Sequence, residues 1–243
     1  MDQAGWHKSK AIFKSDNAYE KFRRFYNLEH SAQKLRILDV GCGAGVMDRF
    51  LRNLGHTVIG LDIFSDGNTS HEENFIQCDI NGTWPVAEKS FDYVVCLDVP
   101  EHMYSPPHVL QQSQRVLKEE GRLVFGVPNH FDLRNRLHML TGKGIIHWDN
   151  VQYGEKAWNY AHVRFFNLKD LLQMFAEYRW YPEFMQFNFQ AGGIIPTSLT
   201  PSLVRRALLK TSPALFSGKF IAGLSQTPTP TQYLYLAKTP QGL

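Results

Sequence analysis

The sequence predicts an α/β chain with an open, mostly parallel sheet of seven strands, an antiparallel last strand and helices on both faces. Three observations carry that expectation. Short apolar runs alternate with segments of helical spacing through the first half of the 243 residues. The first apolar run, ILDV from Ile37, empties into a loop with glycines at alternate positions, Gly41, Gly43 and Gly45. Polar residues able to hold a ligand fall at the C-terminal ends of the predicted strands, where open parallel sheets bind their ligands.

Residues 1–36 are expected to form an N-terminal helical segment, and residues 37–127 the ligand-binding core. Strand one ends at Asp39 and the glycines. These have no side chains to collide with a ligand and can adopt backbone angles closed to other residues. A helix from about Val46 to Leu54 follows, its unpaired N–H groups aimed back at the loop. HTVIGLDI, from His56 to Ile63, reads as a buried strand ending in Asp62, a carboxylate suited to a pair of ribose hydroxyls. NFIQCDI gives a third short strand ending in Asp79, and FDYVVCLDV, from Phe91 to Val99, a fourth. PPHVLQQSQRVLKEEG is a helix with Val109, Leu110, Val116 and Leu117 on one face, stopping at Gly121. GRLVFGVPN, from Gly121 to Asn129, is the fifth strand.

Residues 128–166 are too long and too aromatic for a simple connection, with Phe131, Trp148, Tyr153, Trp158 and Tyr160 beside Arg134 and Arg136. They read as a substrate cap. Asn167 caps a helix in which Leu168, Leu171, Leu172 and Phe175 form the apolar face and Asp170 stands where a capping box places its acid. EFMQFNF, from Glu183, and TQYLYLAK, from Thr231, alternate as half-buried strands and complete the sheet as an antiparallel pair within residues 167–243.

Composition narrows the function classes. The N-terminus lacks the apolar core of a secretory signal and no run approaches bilayer length, so a cytoplasmic location is expected. Cys42, Cys78 and Cys96 show no C-x-x-C pairing and read as small residues in a reducing compartment. Net charge is +3, with five Lys or Arg and no acid after Glu183. The basic, leucine-rich stretch SLVRRALLKTSPALFSGKFIAGL leaves two readings open: contact with an anionic membrane or lipid-linked substrate, or a helix capping the sheet with a solvated basic face. Pro213 and Gly218 interrupt its periodicity. Nucleic acid is not the expected partner, because the basic segments are short and the middle of the chain is acidic.

The loop departs from the dinucleotide pattern G-x-G-x-x-G, since Val46 stands in its last position. The form D-x-G-x-G-x-G from Asp39 instead resembles the first motif of class I S-adenosylmethionine-dependent methyltransferases. DVPEHMYSP, PN after strand five and HVRFFNLKDLLQMF resemble the branch that includes ubiquinone-type methyltransferases and methionine-biosynthesis protein W. The resemblance implies a Rossmann-like fold and S-adenosylmethionine as cofactor, bound by Asp39, Gly41, Cys42, Gly43, Gly45, Asp62, Ile63, Asp79, Ile80, Leu97 and Asp98. It implies methyl transfer to a small organic acceptor, with a hydroxyl oxygen as the expected target. The alternative is a non-catalytic S-adenosylmethionine-binding partner of another enzyme.

Asp98, Glu101 and His102 have the spacing that puts side chains on one side of a helical turn. In some relatives Glu-x-x-Glu-His binds a divalent cation such as Mg²⁺ together with a later histidine, a place His162 fills here. That makes Asp98, Glu101, His102 and His162 a candidate ligand set. The competing reading is that Glu101 and His102 only cap the turn. Without a metal, His102 is the candidate general base and His162 a second. His108, His130, His138 and His147 show no ligand spacing and are given no role. Oligomeric state is not legible.

Overall fold

The computed structural model describes residues 33–63, 74–142, 161–189 and 202–227. The N-terminal segment up to 32, the middle of the cap (143–160) and the strand expected from Thr231 lie outside them.

Seven strands form one sheet: β1 (Arg36–Val40), β2 (Thr57–Asp62), β3 (Phe75–Gln77), β4 (Phe91–Leu97), β5 (Leu117–Pro128), β6 (Tyr181–Phe189) and β7 (Ser217–Ser225). Their spatial order is β3-β2-β1-β4-β5-β7-β6. The first five are mutually parallel; β7 runs antiparallel to both β5 and β6. The switch in strand order falls between β1 and β4, so the loops after those strands open to one crevice.

Alternation along the strands builds a core on each face. Leu38, Val40, Val94, Cys96 and Phe125 pack with Val109 and Leu110 of α2 (Pro107–Val116) and with Leu171 and Phe175 of α4 (Leu168–Glu177). Ile37, Val95, Leu97 and Val124 face the other way and pack with Met47 and Leu51 of α1 (Val46–Asn53). The expected cap of α4 is present: Asn167 Oδ1 accepts the Asp170 N–H at 2.9 Å, a contact worth about 1 kcal/mol. α3 (Leu133–Leu140) opens the cap region, started by Asp132, whose side chain accepts from the Asn135 N–H.

Two expectations are corrected. The helix before strand five ends at Val116, not Gly121, because Leu117 already pairs with Phe91 and Lys118 reaches Asp92 at 2.7 Å. The seventh strand is SGKFIAGLS, inside the stretch expected to be basic and amphipathic. Held between β5 and β6 and buried on both faces, it carries the unbroken apolar run of an interior strand rather than alternation. What remains of that stretch is α5 (Ser202–Thr211), which buries no residue, and the short α6 (Pro213–Phe216), which Pro213 starts. Among the described residues no helix is long and apolar enough to cross a membrane.

Candidate functional site

The loop after β1 is a run of left-handed backbone: φ is +74° at Gly41, +51° at Gly43 and +64° at Gly45. Gly41 is glycine for packing, since a Cβ there would lie 2.2 Å from Val99 Cγ2. Beside Gly43 the space is open, with nothing among the described residues within 4 Å of a Cβ built on it. The loop is anchored to β2: the N–H groups of Gly41 and Cys42 both donate to the Leu61 carbonyl, at 2.7 and 3.1 Å. The Gly43 N–H donates to Asp62 Oδ2 at 2.9 Å. The glycine loop and the acid at the end of β2 are thereby one unit.

Asp39 lies beneath this loop, 5% exposed. Burial, then the neighbouring Asp48 of α1, holds its carboxyl well above the usual carboxylate range. Asp48 is itself fully buried, its Oδ2 3.6 Å from Arg52 Nη2. Asp48 was not expected from the sequence, where it reads as an ordinary first-turn acid. Burial also pushes the Cys42 thiol far up, with Asp39, Asp48 and Asp62 adding to it, so Cys42 is a packed thiol. Ile63 follows Asp62 at 49% exposure.

Asp79 falls two residues beyond β3 and is exposed in a turn. Its Oδ1 accepts from both the N–H and Nδ2 of Asn81, at 2.9 Å each, which lowers its pKa. Ile80 packs partly buried beside it, its carbonyl accepting from Trp84 Nε1 at 3.1 Å. Cys78 sits close enough to Asp62 and Asp79 for both to raise its pKa, after burial.

The second cluster begins where β4 ends. Leu97 is buried, and Asp98 takes φ +57°, a left-handed conformation that aspartate tolerates better than most residues. Its N–H donates to the Gly126 carbonyl at 3.1 Å. The kink turns the chain into a 3₁₀ turn, Pro100–His102. Asp98 is ion-paired with Lys219. Lys219 enters from β7, where it stands opposite Pro128 of β5, and only that register brings it here.

Glu101 is 1% exposed, and burial followed by the Asp98 charge holds its carboxyl well above the usual range. Its Oε2 has no hydrogen-bond partner among the described residues. Its backbone carbonyl accepts from the N–H groups of Val163 and Arg164, at 2.9 and 3.0 Å, seating the segment after the cap against the turn. His162 therefore arrives beside Glu101 and His102: Nε2 lies 3.9 Å from Glu101 Oε1, and the two imidazole rings meet edge to face at 4.6 Å. His102 Nδ1 bonds the Ala161 carbonyl at 3.1 Å. His130, given no role from the sequence, is fully buried with its Nε2 2.9 Å from His162 Nδ1. Asn129 before it donates to the Ala214 and Ser217 carbonyls, tying the end of β5 to the start of β7.

The two clusters adjoin, because Val99 packs on Gly41 and the buried Cys96 thiol is raised by Glu101 and by Asp39 alike, after burial. Ligand atoms of Glu101, His102 and His162 lie within 4.8 Å of one another, a spacing open to an ion. Asp98, the fourth expected ligand, is occupied by the Lys219 ammonium, and a dication beside that ammonium meets direct repulsion. The residues present do not fit the expected four-ligand cation site.

Comparison with known proteins gives concordant similarities. A family model described as "Methyltransferase domain" matches residues 14–181. A ubiquinone biosynthesis O-methyltransferase of Actinobacillus pleuropneumoniae is 29% identical over 143 residues, 52% of this chain and 60% of that protein. One from Haemophilus ducreyi is 31% identical over 44% of this chain and 52% of its own length. The chain thus spans little more than half the length of these relatives. A SAM-dependent methyltransferase from Methanosarcina mazei superposes with a TM-score of 0.58 at 17% identity, covering 85% of this chain and 98% of that one. The 1,6-didemethyltoxoflavin-N1-methyltransferase of Burkholderia thailandensis, solved with its substrate and S-adenosylhomocysteine, gives 0.55 at 15% identity over 93% of this chain and 85% of its own. At these identities the structures share the fold.

Proposed function

The chain belongs to the methyltransferase-domain family, and on that premise we propose that it moves the methyl group of S-adenosylmethionine to a hydroxyl oxygen of a small organic acceptor. The observation that supports the reading is the bond from the Gly43 N–H to the Asp62 carboxylate beside open space, which joins the glycine loop to the acid proposed for the ribose. These residues fit S-adenosylmethionine. Gly41, Gly43 and Gly45 would hold its methionine end, Asp62 and Ile63 its ribose, and Asp79 and Ile80 its adenine. Leu97 and Asp98 would border the reacting end. The cofactor supplies a methyl group on a sulfonium, already electrophilic, so the protein has mainly to align donor and acceptor and exclude water.

A hydroxyl acceptor must lose its proton. A carbonyl can only accept, so the bond to Ala161 puts a His102 proton on Nδ1, and in the neutral ring the lone pair is then on Nε2, as a base requires. His102 Nε2 would take the hydroxyl proton as the oxygen bonds the methyl carbon and the carbon–sulfur bond breaks, giving a methyl ether and S-adenosylhomocysteine. No step passes through a divalent ion, since Asp98 is paired with Lys219 and the expected four-ligand set is not assembled.

Transfer of tritiated methyl to a panel of hydroxyl-bearing small molecules tests the reading. His102→Ala is expected to lower turnover by about 10²–10⁴-fold, the ordinary contribution of a positioned base, with cofactor affinity unchanged. Equal turnover in the variant removes His102 as the base. A protein that binds the cofactor yet methylates nothing supports the binding-partner alternative.

A further inference from the structure

From the bonding of His130 we infer that it is a positioning residue which locks His162 in one tautomer, with the proton on Nε2 facing Glu101, so that Nε2 of His162 is neither a base nor a metal ligand. The inference deepens the methyl-transfer reading and rests on it for the meaning of the site, though not for the tautomer.

The ring protons of this cluster are assigned from one fixed donor. A backbone N–H can only donate, and that of Phe166 points at His130 Nδ1 at 3.2 Å. His130 Nδ1 must therefore carry a lone pair, which rules out both the Nδ1–H tautomer and the imidazolium for His130. Its single proton sits on Nε2, 2.9 Å from His162 Nδ1. That contact is a hydrogen bond only if His162 Nδ1 accepts, so the His162 proton sits on Nε2, the nitrogen 3.9 Å from Glu101 Oε1. His130 is fully buried and its ring is wedged edge-on between His162 and Phe165, with centroids 5.1 and 4.9 Å away. A ring flip would break both bonds at once.

The consequence separates two histidines that look equivalent in sequence. Neutral His102 has its Nδ1 proton on Ala161 and a lone pair on Nε2. His162 has the opposite arrangement, and a neutral imidazole ligates a metal only through an unprotonated nitrogen. The distance from Nε2 to Glu101 is too long for a direct bond, so the proton is held beside a buried acid whose Oε2 lacks a partner among the described residues.

Long-range ¹H–¹⁵N correlation of the histidine rings in the uniformly labelled, full-length protein reads each tautomer directly. The expected spectrum has His162 protonated at Nε2 and unprotonated at Nδ1, unchanged by Mg²⁺ at millimolar concentration. His130→Gln, which can still donate to His162 Nδ1, should keep that pattern. His130→Leu should release it to the other tautomer or the imidazolium. A wild-type His162 with its proton on Nδ1, or a Mg²⁺-dependent shift at its Nε2, overturns the inference without any variant having to fold. Turnover is not involved. A protein with the Nε2–H tautomer that fails to bind S-adenosylmethionine leaves the lock standing and removes the methyl-transfer reading, and the reverse pair of results removes the lock alone.

Discussion

Gly41 and Gly43 carry the same kind of backbone angle for different reasons, and alanine at each should separate packing from ligand binding. At Gly41 an alanine pays twice. Left-handed backbone costs a residue with a Cβ about 1–2 kcal/mol. The new methyl also falls 2.2 Å from Val99 Cγ2 and 3.3 Å from Val99 Cβ and Cγ1. Val99 is β-branched and 9% exposed, so rotating it exchanges one clash for another. Overpacking of that kind costs about 1–3 kcal/mol, which brings the total to roughly 2–5 kcal/mol. For a domain of this size that lowers Tm by about 5–15 °C. At Gly43 only the backbone term applies, since nothing among the described residues lies within 4 Å, and the loss should be roughly 2–6 °C. Its methyl stands instead in the space assigned to the cofactor, and S-adenosylhomocysteine affinity should fall at least about tenfold, or 1.4 kcal/mol. Thermal unfolding and titration calorimetry on both variants read the two effects. A Gly41→Ala protein melting within 2 °C of wild type, or a Gly43→Ala protein binding as tightly as wild type, refutes the reasoning.

Asp39 is held protonated by burial and Asp48, so the folded chain keeps a proton that the unfolded chain releases near pH 4. Its contribution makes stability fall as pH rises from there toward the raised folded value. Asp39→Asn should flatten that slope, as denaturant titrations at several pH values would show; equal slopes in the two proteins contradict it. Because Lys219 already neutralises Asp98, methyl transfer should proceed unchanged in EDTA, and activity lost on chelation and restored by Mg²⁺ would refute that. On α5 the strongly exposed apolar residues are Leu203 and Val204, too little surface for firm insertion. Vesicles rich in anionic lipid should therefore sediment no more protein than zwitterionic ones, and strong anionic-lipid dependence would favour the membrane reading.

The parallel half of the fold was legible because each strand there is a short apolar run ending in a polar residue, and the glycine loop touches Asp62 through the Gly43 N–H. The antiparallel edge was not. In β7, Phe220, Ile221, Ala222 and Leu224 are buried on both faces, so the run lacks the alternation that made TQYLYLAK look like a strand. A basic helix and Pro213 directly before it hid the change of structure. Lys219 and His130 were illegible for a related reason. Lys219 lies 121 residues from Asp98, and His130 lies 32 residues from His162. Neither spacing marks a contact. The strand register supplies the first, and the packing of the segment after the cap on Glu101 supplies the second. Asp98 reads as a metal ligand because sequence shows the acid and not the cation that reaches it from another strand.

The central claim is that the glycine loop and Asp62 hold S-adenosylmethionine. Calorimetric titration of the purified protein with S-adenosylmethionine and S-adenosylhomocysteine, beside mass analysis of any small molecule that co-purifies, tests it most directly. The account predicts saturable binding of both, or recovery of either from the purified protein. A folded protein that binds neither contradicts it.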